Sequence, residues 1–184
     1  MTTTRFLNLR DAIALVPDGA LLSFGGFDMQ RPPLALAAEL VRQGRKRLRV
    51  VVPPTPLPLD LLVGAGVVEE AEFGFIGFQY EEGFVVAPNV RRAVESGSLR
   101  WRERDVFEIV QGLRAAAAGV AYLPAPGGEG TDYERHWPAP QGKIDATGSG
   151  VATAAGAIAP AIAPDFVLLH AQEADRHGNL SIAD

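Results

Sequence analysis

Three short, nearly unbroken apolar runs constrain this chain most: ALLSF (Ala20–Phe24), LRVVV (Leu48–Val52) and DFVLLHA (Asp165–Ala171). Runs of about 4–8 residues without polar alternation suit strands buried on both faces, as in parallel sheets. The chain between them carries helical spacing. Asn8 is a plausible N-cap for a helix over LRDAIALV, which the turn cluster Pro17-Asp18-Gly19 ends. Pro32 and Pro33 suit first helical positions, and Leu34, Ala37, Ala38 and Val41 follow with helical spacing until Gly44. PPTPLPLDLLVGAG gives a proline-rich loop and a short helix, closed by Gly64 or Gly66. EEAEFGFIGF (Glu69–Phe78) carries the next strand, with Glu69 to Glu72 at its outer end, and PNVRRAVESG reads as an amphipathic helix capped by Gly97. SLRWRER reads as a half-exposed strand, VFEIVQGLRAAAAG as a helix and VAYLP as a short strand. Ala125–Gly150 is loop-like, and DRHGN is a turn before a last extended piece, LSIAD. The expected fold is α/β: one domain over 1–184 with an open, mostly parallel sheet and flanking helices, and ligands beyond the carboxyl ends of the strands.

Such a fold invites nucleotides, metals or nucleophilic triads, and the sequence argues against each. Gly64-Ala65-Gly66 closes a helix instead of opening one, Gly148-Ser149-Gly150 follows no strand, and G-x-x-x-x-G-K-[ST] does not occur. His136, His170 and His177 lack metal-ligand spacing, no G-x-S-x-G elbow occurs, and cysteine is absent. No metal is expected. The net charge of -5 gives no footprint for nucleic acid. The cluster Arg42–Arg49 suits a helix C-terminus. No run reaches the roughly 20 apolar residues of a membrane helix, and Arg10 and Asp11 interrupt the N-terminal stretch, so a soluble, cytoplasmic protein is expected.

The sharpest local feature is LLSFGGFDMQRPP (Leu21–Pro33). Gly25 and Gly26 can let the next helix pack tightly on the sheet, or can turn backbone N–H groups toward an anionic or carbonyl oxygen. Asp28, Gln30 and Arg31 add polar groups able to fix a carboxylate or amide. Both readings stand on the residues alone.

Asp18-Gly19 before a strand, Gly25-Gly26-Phe27 after it and Pro33 beyond resemble the signature of family I coenzyme A transferases, on the α subunit. DFVLLHAQEADRHGN (Asp165–Asn179) is similar to the family's later motif, and VESGSLRW and LRAAAAGVAYLPAPGG match its intervening elements in order. Gln30-Arg31 and VAPNVRRAVESG look more like glutaconate-type α subunits, which implies a small acid, dicarboxylic or keto. Family α subunits run on past Asp184, so the chain is expected to be short at its C-terminus.

The resemblance implies a ping-pong route through a glutamyl-CoA thioester, with the glutamate on a β subunit, in an α2β2 or larger assembly. Coenzyme A or acyl-CoA then enters as substrate, and no cofactor is bound permanently. Gly25, Gly26, Phe27, Gln30 and Arg31 are the implied binding residues, joined by Gly77-Phe78-Gln79, which matches the family's Gly-Glu-Asn loop at another strand end and otherwise reads as a bulge or tight turn. Val106, at a helix start, is the implied backbone support for an oxyanion. Glu95 imitates the nucleophile's Glu-x-Gly setting, but its place at a helix end marks it as structural. Asp175 and Asn179 are turn-formers. Two other readings remain: a hydrolase or lyase of CoA thioesters using Glu81, Glu82 or Glu103, or a non-catalytic CoA-binding or scaffold module.

Overall fold

The computed structural model describes residues 4–125, 131–136 and 158–182. In chain order the elements are α1 (Leu9–Ala14), β1 (Leu21–Phe24), α2 (Leu34–Arg42), β2 (Leu48–Val52), α3 (Pro56–Gly64), β3 (Val68–Phe73), β4 (Gly77–Tyr80), β5 (Gly83–Val86) and α4 (Pro88–Glu95). Then follow β6 (Arg100–Glu103), α5 (Val106–Ala117), β7 (Tyr122–Pro124), α6 (Asp132–His136), β8 (Ile158–Pro160), β9 (Phe166–Leu168), β10 (Glu173–Ala174) and β11 (Leu180–Ser181). The chain gathers into two compact units, Met1–Trp101 with Pro164–Asp184, and Arg102–Ala163.

A five-stranded sheet has the order β6-β3-β2-β1-β9, and β1, β2, β3 and β9 belong to the first unit. β1 runs parallel to both β2 and β9, pairing Leu22 with Val50 and Phe166. β2 runs parallel to β3, pairing Val50 with Ala71 and Val52 with Phe73. The α/β class with an open parallel sheet is therefore present. Leu22, Phe24, Val50 and Val52 are buried together with Ile13, Leu40, Leu59 and Leu62 from α1, α2 and α3. Each such side chain contributes about 1.5–3 kcal/mol when fully removed from water.

Local chemistry sets the ends of the elements. Asn8 caps α1, its side chain accepting the Asp11 N–H at 2.9 Å. Gly19, at φ +77°, turns the chain into β1, and Asp18 accepts the Lys46 N–H at 2.9 Å. That contact ties the entrances of β1 and β2 together. α3 is apolar nearly all round, as a helix inside a core must be. Its one charge, Asp60, accepts from the Asn89 and Val90 N–H groups at 2.8 and 3.0 Å and from the Asn89 amide at 2.8 Å. The N-terminus of α4 is thereby capped from a different helix.

Several expectations need correction. Pro32 and Pro33 precede α2 instead of starting it, and the first helical bond runs from the Ala37 N–H to the Pro33 carbonyl. EEAEFGFIGF is not one strand. It breaks at Gly74, and its last two residues, Gly77 and Phe78, begin the antiparallel hairpin β4–β5. DFVLLHA is shorter than expected and lies at the sheet's edge, with Val167 52% exposed.

The second unit holds α5, α6 and the antiparallel pair β7–β8. Gly112 lets α5 approach that pair, since a Cβ there would lie 2.7 Å from the Ile162 side chain and 2.8 Å from the Pro160 carbonyl. Most of Ala125–Gly150, including Gly148-Ser149-Gly150, lies outside the described residues. Among the described residues no helix is long and apolar enough to cross a membrane, and no group of His, Asp and Glu could hold a metal ion.

Candidate active site

The strand order fixes where a ligand can enter. From β1 the chain moves outward to β2 and β3, whereas β9 joins β1 on its opposite side. The direction therefore reverses between β1 and β9, and in open α/β sheets the crevice lies at such a point, beyond the carboxyl ends. The loop Gly25–Pro33 leaves β1 there, and Leu169 and His170 leave β9 beside it.

Gly25, Gly26, Phe27, Gln30 and Arg31 thus stand together in one loop at the switch point. Its backbone is held on three sides. The Gly25 N–H donates to the Leu168 carbonyl at 2.9 Å, and the Asp28 N–H to the Pro54 carbonyl at 2.6 Å. The Thr55 hydroxyl donates to the Gly26 carbonyl at 3.0 Å. Phe27 and Gln30 bond each other reciprocally at 3.0 and 2.8 Å, closing a tight turn around Asp28 and Met29.

Both glycines have a steric reason. A Cβ on Gly25 would lie 2.3 Å from the Leu169 Cδ2, and one on Gly26, at φ +105°, 2.9 Å from the Gln30 and Arg31 carbonyl oxygens. Asp28 and Arg31 are also left-handed, at φ +49° and +54°, which is costly outside glycine. Strain clusters here more than anywhere else in the described chain. Phe27 is 64% exposed and Met29 40%.

Gly77, Phe78 and Gln79 are placed differently from the expectation. They lie inside β4, not in a loop at a strand end, and Phe78 is buried in the core. The Phe84 ring covers Gly77, where a Cβ would sit 2.1 Å from it, and Phe75 meets Phe84 at 5.5 Å. Tyr80, Phe84 and Val85 stay exposed on this hairpin, with Glu81 and Glu82 exposed at its tip.

Val106 belongs to the second unit, at the first position of α5. The Asp105 side chain accepts from the Phe107 and Glu108 N–H groups at 2.8 and 3.3 Å. The Val106 N–H bonds no described residue, and its place in the first turn gives it no acceptor within the helix. Behind it sits a cluster that the sequence did not suggest. Arg104 bonds Glu108 at 2.5 Å with both side chains nearly enclosed, and the Tyr133 hydroxyl donates to the other Glu108 oxygen at 2.9 Å. Burial first, and then the Glu108 carboxylate, push the Tyr133 phenol up to about 12. Arg104, just ahead of α5, stands four residues before Glu108, but nothing in the sequence links either to Tyr133.

Other carboxylates have structural work. Glu95 is held by Arg91 at 2.7 Å on the exposed side of α4. Asp175 accepts from the His177 N–H, the Asn179 N–H and the Asn179 amide at 2.8, 2.9 and 2.7 Å, forming the turn between β10 and β11. Asn179's side chain leads in holding its carboxyl below the usual range. Glu103 is exposed on β6.

Comparison with known proteins decides the family. The coenzyme A transferase family model matches residues 6–184. The chain belongs to the coenzyme A transferase family. As a family member it is 32% identical to the cholesterol ring-cleaving hydrolase IpdA subunit of Rhodococcus jostii, over 94% of this chain and 58% of that one. It is also 32% identical to a named subunit of the 3-oxoadipate CoA-transferase of Pseudomonas knackmussii, over 95% and 60%. Among solved structures, a variant of the decarboxylase AibA/AibB superposes with a TM-score of 0.86 at 40% identity, covering 98% of this chain and 67% of that one. Glutaconate coenzyme A-transferase from Acidaminococcus fermentans shares the fold, with a TM-score of 0.79 at 23% identity. This family member thus spans about 60% of the length of these two curated relatives.

Proposed function

We propose that this chain is the α-type subunit of a heteromeric enzyme that moves coenzyme A between an acyl-CoA and a small acid, with the nucleophilic glutamate on a β-type partner. Similarity over nearly the whole chain to one subunit of a 3-oxoadipate CoA-transferase carries the reading. The partner's glutamate attacks the thioester carbonyl, and collapse of the tetrahedral adduct expels the CoA thiolate and leaves a mixed anhydride. The thiolate then attacks the glutamyl carbonyl, releasing the first acid and leaving glutamyl-CoA. A second acid returns through the same steps in reverse.

This chain supplies position and charge stabilisation. The turn at Gly25–Arg31 is pre-formed, so little reorganisation is needed when a ligand arrives. The free N–H of Val106 is the second candidate for a developing oxyanion, while the Asp105 carboxylate beside it weighs against full anionic charge there. Coenzyme A and its thioesters are substrates, and no resident cofactor is invoked. The exposed Tyr80, Phe84 and Val85 on β4–β5 offer the partner an apolar docking edge in a cytoplasmic α2β2 or larger assembly.

A second reading, hydrolysis or decarboxylation of a CoA thioester on the same scaffold, is favoured by one observation. The decarboxylase AibA/AibB shares 40% identity, more than the 32% of the 3-oxoadipate transferase. Incubating the assembled enzyme with acyl-CoA and borohydride separates the two. Transfer predicts a reduced glutamyl residue on the partner, whereas acyl-CoA consumption without any adduct overturns the transferase assignment.

A further inference from the structure

Neither the fold nor the proposed chemistry explains the Asp28 carboxylate at the switch point. Its Oδ1 is shielded from water and accepts no hydrogen bond, and no described residue donates to either of its oxygens. Shielded acceptors without a donor are rare and costly in native proteins. The residue is also left-handed, at φ +49°. The backbone around it is clamped by the Phe27–Gln30 pair and by the bond to Pro54. Only the side chain is free to turn, and turning it outward breaks no hydrogen bond.

Its surroundings describe a ligand. Phe27 and Met29 flank it and are exposed, and Leu169 covers Gly25 at the adjoining end of β9. Such exposed apolar side chains suit an aliphatic chain. A carboxylate without a donor beside them suits a hydrogen-bond donor on the ligand.

Resting on the acyl-CoA reading above, we propose that Asp28 determines specificity by accepting a hydrogen bond from a donor carried by the thioester ligand, a hydroxyl on its acyl chain. The same acceptor would also serve an amide N–H of the pantetheine arm, so the experiment separates the two sources. A site built around a hydrogen bond rejects the ligand lacking it more strongly than an apolar pocket rejects an added group.

Calorimetric titration of the assembled enzyme with 3-hydroxybutyryl-CoA, butyryl-CoA and free coenzyme A tests this. The wild type is expected to bind the hydroxyacyl thioester about tenfold or more tightly than butyryl-CoA. Asp28→Gly, which relieves the backbone, should erase that preference with the melting temperature unchanged or raised. Asp28→Asn keeps one acceptor oxygen and should keep part of the preference. A loss in Asp28→Gly that is equal for all three ligands supports the hydrogen bond with the pantetheine amide as its source. Affinities that Asp28→Gly leaves unaltered overturn the proposal alone. A wild-type enzyme that binds no CoA thioester overturns the functional reading and this proposal with it.

Discussion

At the scale of single residues, Gly25 and Gly26 look interchangeable in the sequence and are not so in the structure. A methyl group on Gly25 meets the far end of a leucine side chain, which can move, whereas one on Gly26 meets two carbonyl oxygens and a φ of +105°. Gly25→Ala is expected to cost about 1 kcal/mol or less and Gly26→Ala about 2 kcal/mol or more, read from denaturant midpoints. The paired glycines were legible as a special turn. Which one tolerates a side chain depends on Leu169, far along the chain, and on the loop's own carbonyl groups. Tyr133 was not legible at all, because its partner Glu108 lies on another helix. Its folded phenol sits at about 12 against roughly 10 in an unfolded chain. The proton is held more tightly when folded, so this contribution is fully present below pH 10 and is lost as pH rises toward 12. Unfolding measured between those limits should show stability falling with pH in the wild type, with a shallower fall in Tyr133→Phe.

Among the elements, α4 shows how far a helix end can depend on remote chemistry. Pro88 at its first position is a local signal, but the donors of its first turn are satisfied by Asp60, buried in α3. Asp60→Ala leaves two backbone N–H groups and the Asn89 amide without an acceptor and is expected to cost about 3 kcal/mol, with Asp60→Asn intermediate. Chemical denaturation of the three proteins checks this. β1 and β2 were readable because strands covered on both faces are mostly apolar, and only Ser23 and Arg49 interrupt these two. β9 has the same composition, yet Val167 is exposed, since an apolar run does not reveal whether a neighbour lies on each side. The start of the hairpin β4–β5 was read into the preceding strand, although Glu81-Glu82-Gly83 between two apolar segments was a usable turn signal. β8 follows an alanine-rich tract whose pattern favours neither strand nor helix.

For the molecule as a whole, the parallel order of the sheet and the family were both legible, because two separated motifs and a regular alternation pointed the same way. The Gly77–Gln79 loop was not, since the family pattern was laid over residues that here extend a hairpin and place Phe78 in the core. The proposed function stands or falls on the crevice at the β1–β9 switch point being half of an acyl-CoA site that another chain completes. Turnover of acyl-CoA with a series of small carboxylic acids, measured for this chain alone, for the partner alone and for the two mixed, puts that to the test. Transfer is expected only in the mixture. Turnover by this chain alone would contradict it.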